Sequence, residues 1–497
     1  MVTREGVDAD VVEAFDVAIV GCGPVGSALA ILLRQLGRSV VVLERQPEPY
    51  PLPRAVHFDD EVGRILQTCG IGEQLRAITE PAEIYEWRNA AGTVLLRFGR
   101  HGNGPSGWPM SSMFNQPELE ALLLDRALRL GVDVRRGVEV TSLEQRDDHV
   151  VVGDVVARYA VGCDGAKSKV RTLVGAPVTD FGFSYDWLIV DVMLNEPRVF
   201  DPVNLQVCDP RRPTTAVSGG PGRRRWEFMR LPHESLDELN CERRAWELLA
   251  PWDVHPGNAR LERHAVYTFN ARYAERWRTG RVLLAGDAAH LMPPFAGQGL
   301  CAGLRDAANL AWKLDLVLRG LAPESLLDTY QAERLPSVEA VIHFSVELGK
   351  VICMADEAQA AARDAAMSAL VDGTSPAPEL PGLTSGLIHP AAPHAGKRFV
   401  QGRVGGRFFD DVYGPGWRLV LRGVDPDAIG ADQRAWFSRI GGDVVAVTEP
   451  DPVLERWFGE HHVACALQRP DFYLYGTAAD AASATALLDD LRKDLTS

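Results

Sequence analysis

The stretch DVAIVGCGPVGSALAILLRQLGRSVVVLER, residues 16–45, limits the fold of this chain more than any other. Two short apolar runs, 16–21 and 39–45, read as buried strands, and the segment between them reads as a helix. The turn is Gly21-Cys22-Gly23-Pro24-Val25-Gly26, a G-x-G-x-x-G at the point where strand becomes helix. Gly21 allows a tight turn, Gly23 lets the backbone approach a pyrophosphate, and Gly26 lets the helix pack close to the strand. The helix N-terminus offers free N–H groups and a positive dipole end to phosphate. Glu44 closes the second strand at the spacing of an acid that accepts from ribose hydroxyls. This unit binds a dinucleotide; by itself it does not separate NAD from FAD.

A second stretch, RVLLAGDAAHLMPPFAGQGL (281–300), narrows the choice. An apolar strand ends at Gly286-Asp287, which places a carboxylate where a second polyhydroxyl chain can sit. Pro293-Pro294 stiffen the turn. Gly297-Gln298-Gly299 bring bare amides to the start of another helix, where they suit an anionic ring edge. A structural strand-to-helix turn is the plainer reading of that stretch alone. The two loops together favour an extended dinucleotide, FAD.

At 497 residues the chain needs two or three cores. Its net charge of -15 argues against a nucleic-acid partner. The eight cysteines form no CxxC and no ligand-spaced cluster, so no metal site and no redox pair is expected. The acidic N-terminus is no signal peptide, and no apolar run approaches a membrane span. The reading is a reduced, cytoplasmic, soluble protein.

The expected class is α/β, in five segments. Residues 1–177 are the first part of a Rossmann-like FAD domain, and 178–275 are an inserted β-sheet domain for substrate. Residues 276–370 return to the FAD domain and its following helices. The Pro/Gly-rich 371–397 read as a linker, and 398–497 as a β/α tail.

The central Val161-Gly162-Cys163-Asp164-Gly165, with Ser168 and Arg171, completes a set of three motifs. Together they resemble the fingerprints of the single-component FAD-dependent aromatic hydroxylases, the p-hydroxybenzoate hydroxylase class. Within it, PRAVHFDDE (53–61), FNQPELEALL (114–123) and GLRDAANLAWKL (303–314) are most similar to the 3-(3-hydroxyphenyl)propionate/3-hydroxycinnamate hydroxylases. The resemblance implies non-covalent FAD, reduced by a transient NADH or NADPH. It implies O₂ addition to a flavin C4a-hydroperoxide and hydroxylation of a phenol ortho to its OH. No second complete G-x-G-x-x-G unit exists for the nicotinamide. By the same resemblance Glu44, Arg45 and Arg54 contact the adenosine half, and Gln116 and Asp287 the ribityl region. Pro294, Gly297, Gln298, Gly299 and Leu300 line the isoalloxazine, and Asp164 orients the central loop. The tail resembles a thioredoxin-like domain without CxxC, which suits packing or a homodimer contact and is expected to be separable from the flavin.

His57 is a candidate base for the phenol, although a lone histidine is more often structural. His290 reads as a turn residue. Arg223 and Arg225, on one face of a strand, are candidates for a substrate carboxylate, as are Arg211 and Arg212; an exposed basic edge is the plainer reading. A polycyclic natural product as substrate, and a non-hydroxylating flavin binder, are the alternatives.

Overall fold

The computed structural model describes residues 14–369, 375–376, 381–448 and 451–496. Five parallel strands form the centre of the first sheet, which has eight, in the order Val282–Leu284, Val155–Gly162, Ala14–Val20, Val40–Glu44 and Asp133–Arg136. Val17 through Val20 and Val40 through Leu43 are buried, as expected of a parallel sheet covered on both faces. Helix Pro24–Gln35 packs on this sheet against helix Gly299–Leu318. Parallel strands end on one edge. Val20 pairs beside Leu43 and Gly162, and Gly162 beside Leu284. The loops beginning at Gly21, Cys163 and Ala285 therefore emerge side by side, although more than half the chain separates them.

The second sheet has nine strands, and its longest, Val178–Leu194 and Ala259–Ala274, pair antiparallel. It is not confined to 178–275. Ile84–Asn89 and Val94–Gly99 belong to it, with Tyr85 pairing opposite Asn204 in parallel register. His290–Leu291 and Ser375–Pro376 form its two edges. One apolar cluster of this sheet, Val190, Trp226 and Phe228, packs with Leu239, Ala245 and Leu249 of two short helices. Phe183, Trp187 and Phe269 gather around Phe295, with ring centroids 6.1, 5.6 and 6.0 Å away. The sheet thus meets the flavin domain at the Pro294–Ala296 turn.

Of the expected linker, residues 371–374 and 377–380 lie outside the described residues. The remainder does not behave as a spacer. Leu383 and Leu387 are buried, and Glu333 accepts a hydrogen bond from the Leu387 amide at 2.8 Å.

The C-terminal domain carries four strands in the order Gly442–Ala446, Trp417–Leu421, Cys465–Gln468 and Leu474–Ala478, with helices Ala431–Arg439, Pro452–His461 and Ala481–Thr496. The first pair is parallel and the rest antiparallel, a thioredoxin-like arrangement. Cys465 is buried, and that burial pushes its thiol up to about 12. Such a thiol is inert at neutral pH.

Buried ion pairs fasten this domain to the flavin domain. Arg469 donates to Glu333 at 2.6 Å, Arg64 to Asp410 at 2.6 Å, and Arg398 to Glu61 at 3.1 Å. Within the flavin domain Glu333 also holds Lys313 at 2.8 Å, and across the boundary the rings of Trp312 and Trp417 stand 5.4 Å apart. These contacts argue against a separable tail. Among the described residues, no helix is long and apolar enough to cross a membrane.

Candidate active site

The first loop has the shape a pyrophosphate needs. Gly21 has φ +107°, and a Cβ there would lie 2.4 Å from the Cys163 carbonyl oxygen. A Cβ at Gly26 would lie 2.1 Å from the Gly21 oxygen, so both positions exclude a side chain. At Gly23 the nearest atom to such a Cβ is Arg54 Nη2 at 3.9 Å. The backbone there borders open space. Gly23 caps the helix without a side-chain hydrogen bond, and Pro24 follows at its first turn. Bare backbone, an unpaired helix N-terminus and an arginine together form a fitting cradle for a diphosphate. Glu44 accepts from the amides of Cys22 and Gln46, both at 2.8 Å, which braces the loop and leaves lone pairs for a ribose.

Arg54 reaches this cradle because its own segment is pinned. Gln116 accepts from the amides of Arg54 and Ala55 at 3.1 and 2.6 Å. Arg225 donates to the carbonyls of Arg54 and Pro53 at 2.6 and 3.0 Å. Arg45 is exposed at the end of its strand.

Asp287 opens onto the cleft while protein crowds it from behind. Desolvation holds its carboxyl above the usual range, against the opposing pull of Arg54 and His290. Gly286, with φ +61°, lies where a Cβ would come within 3.0 Å of Val25, so the two loops touch. Gly297 has φ +65°, and Gln298 leaves helix Gly299–Leu318 without a side-chain cap. Pro294 opens the short turn before it, and Gly299 and Leu300 start the helix. These residues fit a flavin: bare amides at a helix start, a carboxylate for hydroxyls, and a diphosphate cradle on the same sheet edge. When bound there, FAD supplies the redox chemistry that no side chain in the chain provides.

Asp164 does something more local. Its carboxylate accepts from Ser168 Oγ at 2.6 Å and from the amides of Lys169 and Val170 at 2.6 and 3.0 Å. It caps the short helix Lys169–Leu173. Arg171 then donates to the carbonyls of Ala166 and Ala288, tying this loop to the Asp287 loop.

Two expectations need correction. Arg225 is buried and bonded to Asp191 at 2.7 and 3.0 Å as well as to the two carbonyls above. Arg223 pairs with Glu118 at 2.9 Å and Glu262 at 3.1 Å. Neither has its guanidinium free for a substrate carboxylate. Arg212 is held by Glu234 and Arg211 by Asp209. His290 is structural, bonded to Asp306 at 2.7 Å.

His57 stands beside the flavin loop. A Cβ on Gly297 would fall 2.8 Å from its Nδ1. Arg100 Nη1 lies 3.3 Å from Nε2. Arginine only donates, so Nε2 holds the lone pair and Nδ1–H donates to the Gly297 carbonyl at 3.2 Å. Burial first, then Arg100, lowers the imidazole to about 4. A ring so hard to protonate, with its lone pair already taken, is a poor base for a phenol.

Sequence reasoning missed Arg100, which follows strand Val94–Gly99 in a stretch without a motif. It also missed a network behind the flavin loop. Arg305 donates to Asp59 at 2.5 Å, to Glu61 at 2.7 Å and to the Gln298 side chain at 3.0 Å. Gln298 in turn donates to Asp59 at 3.1 Å. A separate hollow of about 590 Å³, lined by Phe15, Tyr159, Arg281 and Pro323, lies at the amino end of Ala14–Val20. Ligands of parallel sheets bind at the carboxyl ends, which puts that hollow outside the chemistry.

Comparison with known proteins agrees with this geometry. Residues 14–345 match the family described as "FAD binding domain", and 396–494 match "HcaD C-terminal domain". The chain is 42% identical to a probable NADH-specific resorcinol 4-hydroxylase of Rhodococcus jostii (strain RHA1), covering 96% of this chain and 95% of the relative. It is 34% identical to a 3-(3-hydroxy-phenyl)propionate/3-hydroxycinnamic acid hydroxylase of Mycobacterium sp. (strain JLS), over 93% and 89%. Among solved structures, a ternary complex of aklavinone-11 hydroxylase with FAD and aklavinone superposes with a TM-score of 0.79 at 27% identity, covering 97% of this chain and 99% of that one. The chain belongs to the FAD-dependent aromatic hydroxylases, flavoprotein monooxygenases that use NAD(P)H and O₂.

Proposed function

We propose that the protein hydroxylates a small monocyclic phenol ortho to its OH, using the flavin-bound oxygen chemistry that its family resemblance implies. The observation that carries this reading is the full-length 42% identity to the resorcinol hydroxylase. A carboxylate-bearing substrate such as 3-(3-hydroxyphenyl)propionate rests on the 34% relative, but it loses the support of Arg223 and Arg225, which are paired internally. Resorcinol therefore comes first and the phenylpropionate second. The assigned roles follow the geometry. Gly21 through Gly26 with Arg54 hold the diphosphate, Glu44 the adenosine ribose, Asp287 the ribityl chain, and Gly297 through Leu300 the ring edge. Asp164 serves by fixing the loop that meets the nicotinamide.

The test is a panel of resorcinol, 3-(3-hydroxyphenyl)propionate, 3-ethylphenol and a fused-ring phenol. NADH and NADPH consumption is measured with the oxygenated product. Resorcinol is expected to give product tightly coupled to nicotinamide oxidation. Turnover of the fused-ring phenol alone moves the assignment to natural-product tailoring, and oxidation without oxygenated product from any phenol overturns hydroxylation.

A further inference from the structure

Apart from Arg224, which donates to the carbonyls of Val203 and Ala216, the buried arginines of this protein hold carboxylates, among them Arg64 with Asp410, Arg225 with Asp191, Arg305 with Asp59, Arg334 with Asp306 and Arg469 with Glu333. Arg100 does not. No carboxylate among the described residues lies within ion-pair distance of it, and its Nε is buried without a hydrogen-bond partner. Its one side-chain hydrogen bond goes to His57, a neutral ring. Part of Arg100 remains open to solvent. The carboxylate nearest in influence, Asp59, is already held by Arg305 and Gln298. Tyr85 and Cys301 complete its polar surroundings, and burial pushes the Cys301 thiol and the Tyr85 hydroxyl up, so both are neutral. A cation so placed lacks a counterion, and burying one without a partner is costly.

The direction it faces matters as much. His57 links Arg100 to the Gly297 carbonyl, at the uncapped start of helix Gly299–Leu318. On the function proposed above, that loop borders the ring edge of the flavin. We propose that Arg100 is the cation that receives the ionised ring oxygen of the phenolic substrate, with His57 as the positioning residue that fixes its guanidinium against the Gly297 loop. The phenol O–H breaks and its proton leaves to bulk water. The oxygen keeps the electron pair and is stabilised by charge rather than by a protein base. An ionised ring is the stronger nucleophile toward an electrophilic oxygen donor, and a nearby cation favours the ionised form. This explains how a site with no competent base at His57 can still activate a phenol.

The experiment uses the FAD-loaded wild type with Arg100→Gln and Arg100→Lys. Resorcinol, 3-ethylphenol and 3-(3-hydroxyphenyl)propionate are titrated against pH, following the bound-flavin spectrum and the phenolate absorbance. In the wild type the bound phenol is expected to ionise about one pH unit or more below the free phenol, a tenfold preference for the anion. Arg100→Gln should bind resorcinol at least about tenfold more weakly and return the ionisation to the free value, with FAD content unchanged. Arg100→Lys should recover part of both. A merely structural arginine would lower affinity without moving the ionisation, and an unmoved ionisation in both variants overturns the proposal. The same holds if only 3-(3-hydroxyphenyl)propionate is weakened, which would give the cation to a side-chain carboxylate. If the wild type hydroxylates no phenol, the hydroxylase reading fails instead.

Discussion

Asp287 carries a carboxylate with no hydrogen bond from the described residues and faces the cleft, whereas Asp164 is saturated by its own loop. The two acids should therefore fail differently. Asp287→Ala is expected to weaken FAD binding by about 1.5–3 kcal/mol, the range for a hydrogen bond to a charged group, and to leave the apoprotein melting temperature unchanged. Asp164→Ala should cost about 1 kcal/mol of apoprotein stability, the worth of a helix cap, with a smaller change in FAD affinity. Flavin titration and apoprotein melting separate the cases. His57 makes a pH prediction. Its folded value of about 4 lies below the 6.5 of a free imidazole, so the folded state takes up its proton later than the unfolded chain does. The stability it supports is present above about 6.5 and lost as pH falls toward 4. His57→Gln should flatten that part of a melting-temperature-against-pH curve, and an unchanged curve would refute the depressed ring. The motif glycines are legible in the sequence because their backbone geometry tolerates few other residues. Arg225 was not, because its partner Asp191 sits on a paired strand 34 positions away. Arg100 was not, because an absent counterion is a fact of three dimensions.

Two helices cross at three residues. A Cβ on Gly303 would lie 2.6 Å from Val25 Cγ2 and 3.1 Å from the Gly286 Cα. Valine is stiff at χ1 and has little room to yield. Gly303→Ala should force the Pro24 and Gly299 helices apart at about 1–3 kcal/mol and loosen FAD, because both helix starts bear on the cofactor. Val25→Ala in the same chain should restore much of the melting temperature, a coupling a double-mutant cycle measures. Additive losses would mean that the contact does not set the crossing. The parallel strands at Ala14–Val20, Val40–Glu44 and Val282–Leu284 are readable as apolar runs, and Asp133–Arg136, with three charged residues of four, is not. Ile84–Asn89 was not assigned to the substrate sheet, because it pairs with a strand more than a hundred residues later. Cys465–Gln468 shows no alternation in the sequence, because all four residues are buried.

The C-terminal domain reaches the flavin loop through a chain of charges. Arg398 holds Glu61, Glu61 holds Arg305, and Arg305 holds Asp59 and Gln298. Arg398→Gln should therefore raise hydrogen peroxide release per NAD(P)H consumed, although Arg398 lies outside the flavin domain; unchanged coupling would show that the chain transmits nothing. The larger expectation concerns Arg469→Met. It takes an arginine from Glu333 and Asp471, both buried, leaving Lys313 and Asn309 on Glu333 and Asn309 on Asp471, and should cost about 3 kcal/mol by thermal melting, the lower end for removing one partner from a buried pair.

The interrupted parallel sheet has a consequence for biosynthesis. Strand Val155–Gly162 pairs with Val282–Leu284 along Ala160–Gly162, and roughly 120 residues, the difference between 282 and 162, separate the two. At about 5–20 residues per second of translation, that apolar edge waits some 6–24 s for its neighbour to leave the ribosome. Over that interval the nascent half-sheet offers unpaired backbone to any other chain nearby. The cofactor cannot shield it, since the Asp287 loop has yet to be made. The protein is most vulnerable to misassembly in the middle of its own synthesis, while the substrate sheet is being threaded out between the two halves of the nucleotide fold.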